Sequence, residues 1–243
     1  MILVLVGKSN GKTTTAMNVG TALAQRPVSR RSRRLRKVRL LNADPQATAV
    51  EWAAQRDIPP LIEVREHISH TIHQDLPELM DGVDDLLIDC PAGTGRPSTM
   101  VDGRIRITRS AILAAICEDN GLVIVPVGAS GLDMWAGDHL MAVIEEAWEF
   151  PGAAPGARSR AAVLLNRIAT PRGGRISQVE RATRTRLESA PLSRLNTVIH
   201  DRTDFVKAPI VGLGITEFAP HSVASEEVDA LTTELLTLAG ENK

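Results

Sequence analysis

The chain has 243 residues, a formal net charge of −1 and 43% hydrophobic residues, which is enough to bury the core of one globular domain. Its two cysteines, Cys90 and Cys117, form no Cys-x-x-Cys pair, which argues against a disulfide scaffold, a zinc ribbon or an iron–sulfur site. Tyrosine is absent, no apolar run reaches the about 20 residues of a membrane span, and nothing resembles a signal peptide, so we expect a cytoplasmic protein without aromatic base-stacking platforms.

Short apolar runs alternate with longer helical patterns along the chain. The predicted strands are Ile2–Val6, Val38–Leu41, Leu61–Val64, Asp85–Asp89, Leu122–Val127, Ala162–Leu165 and Thr197–Ile199. The predicted helices are Lys12–Arg26, Gln46–Arg56, His70–Met80, Arg109–Glu118, Leu132–Trp148, Ile176–Ser189 and Ser225–Leu238. This alternation predicts an α/β fold with a doubly wound, mostly parallel sheet flanked by helices, in a single domain over residues 1–243.

The turn between the first predicted strand and helix contains Gly11-Lys12-Thr13. Unpaired backbone N–H groups and the helix dipole favour an anion at such a helix start. Gly11 permits a close approach, Lys12 can reach the β- and γ-phosphates, and the Thr13 hydroxyl can ligate Mg²⁺. A phosphate-binding loop normally reads G-x-x-x-x-G-K-[ST], but Gly7 lies one residue too close to Gly11. We therefore expect a phosphate-binding loop that is one residue short.

Two further predicted strands lead to carboxylates. Asp89 ends the run Leu86-Leu87-Ile88-Asp89, and Asp44 follows Val38–Leu41 within Asn42-Ala43-Asp44-Pro45-Gln46. Ligands of doubly wound sheets bind beyond the carboxyl ends of the strands. Asp89 is predicted to hold the magnesium shell opposite the phosphate loop, and Asp44 to orient the water that attacks the γ-phosphate. The alternatives are a strand-end cap for Asp89 and a helix N-cap for Asp44.

In order and spacing, these motifs resemble a ParA-type partition ATPase of the deviant Walker A class, in the small ParF-like branch that lacks an N-terminal DNA-binding domain. The family pattern Lys-Gly-Gly-x-Gly-Lys-Thr-Thr is similar to Lys8-Ser9-Asn10-Gly11-Lys12-Thr13-Thr14, and its Asp-x-Asp-Pro-Gln box is similar to Asn42–Gln46. The segment Asp89–Gly93 resembles the family's strand-end box, and Leu164–Arg167 resembles its late strand. The segment 197–215 resembles its C-terminal motif, so the resemblance spans almost the whole chain.

The resemblance implies a P-loop NTPase-like fold and a dimer switch driven by ATP with Mg²⁺. The nucleotide would be bound by Gly7, Ser9, Asn10, Gly11, Lys12, Thr13 and Thr14, with Asn166 and Arg167 at the adenine. Thr13 and Asp89 would hold the metal, and Gly93 would lie in the segment that senses the γ-phosphate. The catalytic residues would be Lys8, Lys12 and Asp44, with Lys8 reaching across a homodimer to the partner's ATP.

The resemblance also implies macromolecular partners. The ATP-bound dimer would bind DNA non-specifically, a ParB-like centromere-binding protein would stimulate a weak ATPase, and a plasmid or chromosome would be segregated over the bacterial nucleoid. The candidate arginines for DNA phosphates are Arg172, Arg175, Arg181, Arg184 and Arg186. A solvated helix face is the alternative for this group.

A second basic segment remains open in function. Seven of the ten residues from Arg30 to Arg39 are Arg or Lys, so the connector Val28–Lys37 is a candidate contact for DNA, RNA or an acidic partner. A disordered, solvated loop is an equal alternative. The predicted loop Pro91–Thr108 is longer than the corresponding loop of the family.

Two other functions stay open beside the partition ATPase. A MinD-like positioning ATPase needs a terminal amphipathic helix with a basic face, which the tail Glu234–Lys243 lacks, so no membrane partner is expected. A degenerate relative that binds nucleotide or DNA without hydrolysis is also compatible with the sequence. Its signs are the short loop, Ser9 in place of a glycine, and Asn42 in place of the first Asp of its box.

Overall fold

The computed structural model describes residues 1–8, 10–29, 31–93, 103–129, 137–171, 176–188 and 190–241. Within these residues, seven strands form one sheet: β1 (Ile2–Leu5), β2 (Val38–Asn42), β3 (Glu63–Glu66), β4 (Asp85–Asp89), β5 (Gly121–Val127), β6 (Ala161–Ile168) and β7 (Ser193–His200). The α-helices of the same residues are α1 (Lys12–Ala24), α2 (Thr48–Ala54), α3 (Ile72–Leu79), α4 (Gly103–Ile116), α5 (Gly137–Trp148), α6 (Gln178–Leu187), α7 (Asp204–Lys207), α8 (Ile215–Phe218) and α9 (Val223–Leu238). Short 3₁₀ turns cover Ala157–Arg160 and Ala208–Val211.

The sheet confirms the predicted α/β fold. Its strand order is β3-β2-β4-β1-β5-β6-β7, and every neighbouring pair is parallel. One face packs against α3, α4, α5 and α6, and the other against α1, α2 and α9. The central strands are buried along their whole length because helices cover both faces. All carboxyl ends of the strands meet at one edge, which places the turn before α1 beside the ends of β2, β4 and β6.

Element boundaries differ from the predictions where the local sequence is ambiguous. The helix predicted to begin at Arg109 begins at Gly103, so residues 103–108 of the predicted loop Pro91–Thr108 are helical. Ile107 and Ala111, one turn apart, are both buried, which explains the longer helix. Strand β3 covers Glu63–Glu66 rather than Leu61–Val64, because this exposed edge strand carries no apolar alternation.

Acidic residues anchor two arginines of the basic segment after α1, while most of its other described residues are exposed, so the segment is a solvated loop held at these two points. The Arg36 guanidinium is buried and donates to both carboxylate oxygens of Asp85, at 2.8 and 3.0 Å, and to Glu241 Oε2 at 2.7 Å. Arg39 is also buried and pairs with Glu63. Arg34 forms a paired contact with Asp84 on the surface, at 2.7 and 2.8 Å. Arg34 and Arg36 hold the connector to the sheet, while Arg39, itself in β2, joins β2 to the edge strand β3.

We expect Arg36→Ala to lower the free energy of unfolding by about 3 kcal/mol, at the low end for a broken buried ion pair, because the fully buried Asp85 carboxylate then keeps only the Met1 ammonium, at 3.2 Å. The matched control is Arg34→Ala, whose side chain is 53% exposed in its pair with Asp84. Solvent screens that pair, so its removal should cost far less. Urea denaturation of both variants measures the difference. Equal losses would mean that the Arg36 pair is no more important for stability than a surface contact.

Candidate nucleotide-binding site

The turn between β1 and α1 is built around a glycine and two anchoring hydrogen bonds. Gly11 precedes α1 with φ +79°, and a Cβ there would lie 2.7 Å from Asn166 Nδ2. Asn166 Nδ2 donates to Asn10 O at 2.7 Å, and Lys12 Nζ donates to Lys8 O at 3.0 Å. A glycine is therefore required at position 11 for both conformation and space. The turn is held in place from β6 and from its own helix.

The N-terminus of α1 has a positive electrostatic potential, which favours the binding of an anion. The first backbone N–H groups of a helix have no acceptor within the helix, and here they belong to Lys12, Thr13 and Thr14. Lys12 is only 4% exposed. Burial lowers the pKa of its ammonium, although the charges of Asp89 and Asp44 act in the opposite direction. A bound phosphate would compensate this buried cation and the helix N-terminus together.

Oxygen ligands suited to a hard divalent cation lie next to Lys12. Thr13 Oγ1 donates to Asp89 Oδ2 at 2.6 Å. Burial raises the pKa of Asp89 to about 6, although the hydrogen bond from Thr13 opposes the shift. Asp89 Oδ1 and the side-chain oxygen of Asn42, its register partner on β2, are buried and have no hydrogen-bond partner among the described residues. A carboxylate, a hydroxyl and an amide oxygen without full partners fit Mg²⁺.

Asp44 and Gly93 connect the phosphate loop to the ends of β2 and β4. Asp44 Oδ2 accepts from the backbone N–H of Ala92 at 3.3 Å, and the Gly93 N–H donates to Gly7 O at 3.2 Å. Asp44 is not the N-cap of α2, since Ala47 occupies that position, which corrects the N-cap alternative. A displacement of the segment after β4 would therefore change the positions of both the loop and Asp44.

A cavity of about 160 Å³ continues from the first turn of α1 towards β7. This volume is below the about 300–1,000 Å³ of pockets that hold a whole ligand, so it suits one part of a larger molecule. Its floor is polar near α1 and β6, and its far wall is apolar. The lining residues are Gly11, Thr14, Thr15, Asn18, Val19, Asn166, Arg167, Ile199, His200, Asp201, Phe205, Val206, Val228 and Leu231.

Known proteins share this arrangement of elements. No family model matches the chain. The maintenance of carboxysome distribution protein A of Halothiobacillus neapolitanus is 25% identical over 233 residues, which cover 93% of this chain and 91% of that protein. The ATP complex of a Cyanothece McdA variant superposes with a TM-score of 0.68 at 16% identity, covering 100% of this chain and 96% of that one. The cell division ATPase MinD of Pyrococcus furiosus gives 0.64 at 18% identity, with 98% of each chain covered.

The chain has the fold of the ParA/MinD ATPases. The predicted resemblance to ParA-type proteins is therefore confirmed at the level of the fold. The predicted loop residues that the structure describes lie in the turn between β1 and α1 and in the first turn of α1. Lys8 is exposed at the rim, while Gly7, Asn10, Gly11, Lys12, Thr13 and Thr14 form the turn and the first turn of α1; Ser9 lies outside the described residues.

The arginines predicted to contact DNA have different surroundings. Arg181 and Arg186 are exposed on α6, but Arg184 is held by the buried Glu180, with Nε and one terminal nitrogen donating to Oε1 at 3.0 and 2.7 Å. Arg172 and Arg175 lie outside the described residues. Arg184 therefore has a structural contact that its two neighbours on α6 do not share.

Two site residues, Asn18 and His200, were missed by sequence reasoning. Asn18 lies one turn after Thr14, donates to Thr14 O at 2.7 Å and accepts from Ile215 N at 2.6 Å. An amide inside an otherwise small and apolar helix was the available signal. His200 ends β7 and is held by Glu227 of α9 at 2.7 Å. No local pattern connects these two, since only the fold brings them together.

Other candidate chemistry is not supported by the described residues. Among them, no group of three His, Cys, Asp or Glu side chains could hold a metal ion. His67 and His73, two of the histidines spaced at three-residue intervals, bond to Asp75 and Ser110 respectively. Burial raises the pKa of the Cys90 thiol, which makes it unreactive. Within the same part of the chain, none of the helices combines the length and the apolar character that crossing a bilayer requires.

Proposed function

We propose that the chain is an ATP-binding and hydrolysing ParA-type positioning ATPase. The observation that supports this proposal most is the Thr13–Asp89 hydrogen bond beside the buried Lys12, at the N-terminus of α1 and next to a base-sized cavity. The solved ATP complex of the Cyanothece McdA variant adds support from a protein of the same fold.

In this proposal each residue of the turn has a distinct task. Lys12 neutralises the β- and γ-phosphates, and the helix N-terminus donates its N–H groups to them. Thr13 and Asp89 hold Mg²⁺, which when bound supplies positive charge to the phosphate oxygens. Asp44 orients the attacking water. Since catalysis of phosphoryl transfer is mainly positioning and electrostatics, these groups are sufficient for slow turnover.

In this proposal, the segment after β4 couples the presence of the γ-phosphate to the conformation of the site. Gly93 and Ala92 bond to the phosphate loop and to Asp44. A γ-phosphate would compete for the same backbone N–H groups, so its arrival would free the segment from Gly7 and Asp44, and its loss would restore these hydrogen bonds. This supports Gly93 as part of a switch.

The active form in this proposal is an ATP-bound homodimer. Lys8 is exposed at the rim of the site, and its backbone carbonyl, rather than its side chain, holds Lys12 and Asn10. Its ammonium is therefore available to the ATP of a second subunit. There it would stabilise the charge that develops in the transition state.

Our proposals for the cargo and the stimulating partner come from the resemblance to ParA-type ATPases and from the relative named for carboxysome distribution. The ParA pattern favours a plasmid or chromosome, with non-specific DNA as the track and a ParB-like centromere-binding protein as the stimulator. The curated relative is named for carboxysome distribution, so a protein assembly carried on the same nucleoid track is the second candidate cargo.

Calorimetric titration with ATP, in Mg²⁺ and in EDTA, tests the proposal together with phosphate release. We expect binding that is stronger with Mg²⁺ and slow hydrolysis that a cargo adaptor accelerates. Binding without any release would identify the non-hydrolysing alternative. Absence of binding in both conditions would rule the proposal out.

For DNA, we expect the double variant Arg181→Ala/Arg186→Ala to weaken binding to any duplex in the presence of ATP. It should also reduce the slope of log affinity against log salt by about two, one for each lost phosphate contact. Fluorescence anisotropy over a salt series measures both. The matched control is Arg65→Ala, an exposed arginine on the edge strand β3 at the far side of the sheet. An unchanged slope in the double variant would leave α6 as a solvated face.

A further inference from the structure

His200 lies at the end of β7, lines the cavity, and has its imidazole oriented by a carboxylate. Its Nδ1 is 2.7 Å from Glu227 Oε1, and its backbone N–H donates to Glu227 Oε2 at 3.1 Å. An ionised carboxylate can only accept hydrogen bonds, so the ring proton is on Nδ1. The remaining ring atom, Nε2, is buried and has no partner among the described residues.

Glu227 is well suited to fix the imidazole in this way. Burial acts to raise its pKa, but the hydrogen bonds from Arg202 and His200 outweigh burial and lower the pKa, so the carboxylate is ionised at neutral pH. Arg202 donates to Oε1 through Nε at 3.2 Å and a terminal nitrogen at 2.6 Å. Its positive charge compensates the negative charge of Glu227. In a neutral imidazole whose proton lies on Nδ1, Nε2 presents a lone pair.

The cavity around His200 has the character of a base pocket. Phe205, Val206 and Leu231 supply apolar surface, and Gly11 and Thr14 border it on the side of the phosphate loop. A flat heterocycle attached to phosphates at α1 would enter with its polar edge towards the few polar groups of the wall. A buried acceptor without a partner is unfavourable, so a ligand that donates to it is selected.

From this geometry we infer that His200 Nε2 accepts a hydrogen bond from the exocyclic amino group of the bound base and makes the site selective for 6-amino purine triphosphates. This rests on the proposed nucleotide function and goes beyond it by naming the residue that reads the base. A 6-oxo purine would place an acceptor against an acceptor. A purine without a 6-substituent would leave Nε2 unpaired.

The test compares the dissociation constants of ATP, inosine triphosphate and purine riboside triphosphate, all with Mg²⁺. The wild-type chain should bind ATP about tenfold or more tightly than either analogue. His200→Ala should bring the three affinities within about twofold, with little change for purine riboside triphosphate, because only the 6-amino contact is lost. His200→Gln should restore part of the preference, since its amide oxygen can accept. Glu227→Gln should reduce the preference, because it no longer fixes the tautomer.

The exposed His221 provides the control variant His221→Ala, which should retain the wild-type preference. Urea denaturation checks that each variant is folded, and the wild-type comparison of the three nucleotides needs no variant. If the wild-type chain binds ATP but does not distinguish it from purine riboside triphosphate, the inference is overturned and the proposed function stands. The same holds if His200→Ala weakens all three nucleotides equally. If no nucleotide binds at all, the proposed function fails, and the inference fails with it.

Discussion

Lys12→Ala should reduce ATP turnover by at least about 100-fold, because in the proposed site it removes the ammonium that would face the developing charge on the phosphates. Lys12 is buried between the start of α1 and the carboxylates Asp89 and Asp44. Without it, those carboxylates would repel the triphosphate, so ATP affinity should fall as well. Phosphate release at saturating ATP, together with calorimetric binding, measures the two effects.

The control for Lys12→Ala is the conservative variant Lys12→Arg, which keeps the charge but changes its geometry. Urea denaturation checks that both variants are folded, because Lys12 donates to Lys8 O and its charge also interacts with Asp89 and Asp44. Turnover that persists unchanged in Lys12→Ala would contradict the proposed site. It would assign the measured hydrolysis to another site or to a contaminating enzyme.

Lys8→Ala should reduce hydrolysis without reducing ATP affinity. We expect the affinity to stay within about twofold of wild type and hydrolysis to fall by about 10³-fold, the lower limit for a charge supplied in trans to a phosphoryl transfer. The physical reason is that the backbone carbonyl of Lys8 maintains the loop, whereas its side chain is exposed. Alanine preserves the carbonyl. Calorimetry and phosphate release on the same sample separate the two effects.

Mixing experiments can tell whether Lys8 acts across the dimer. Lys8→Ala and Asp44→Ala are each expected to be inactive alone. In a mixed dimer, the Lys8→Ala subunit keeps its own Asp44 and would receive Lys8 from the other subunit. Recovered hydrolysis on mixing supports action in trans, and a mixture as inactive as its components would place Lys8 at its own nucleotide or outside catalysis.

The segment Ala92–Gly93 is hydrogen-bonded both to Asp44 and to Gly7. Two backbone N–H groups after β4 donate to the Asp44 carboxylate, the group proposed to orient water, and to Gly7 O in the turn before α1. A displacement of Asp44 would therefore be transmitted to Gly7, and a displacement of Gly7 to Asp44. A partner that displaced the segment after β4 would change both the position of Asp44 and the loop, which offers a physical route for stimulated hydrolysis.

Local sequence was sufficient for the turn between β1 and α1 and for the strand that ends in Asp89. Gly11, Lys12 and Thr13 were predicted because a glycine turn followed by a helix start has few other uses, and β1 and β4 were predicted because buried parallel strands read as continuous apolar runs. Asp89 could be placed with them, since carboxyl ends of parallel strands share one edge. The length of α4 was missed because residues 103–108 contain glycine, arginine and only scattered apolar side chains.

What the sequence by itself determined is therefore the order of the strands and helices along the chain and the chemistry of the turn before α1, because both depend on residues that are neighbours in the chain. The tertiary structure alone decided the partners. It pairs Arg36 with Asp85 and Glu241, and it brings Glu227 of α9 against His200 of β7. Which charges are buried together depends on how helices pack over the sheet, and no local pattern of residues encodes a contact between segments that are far apart in the chain.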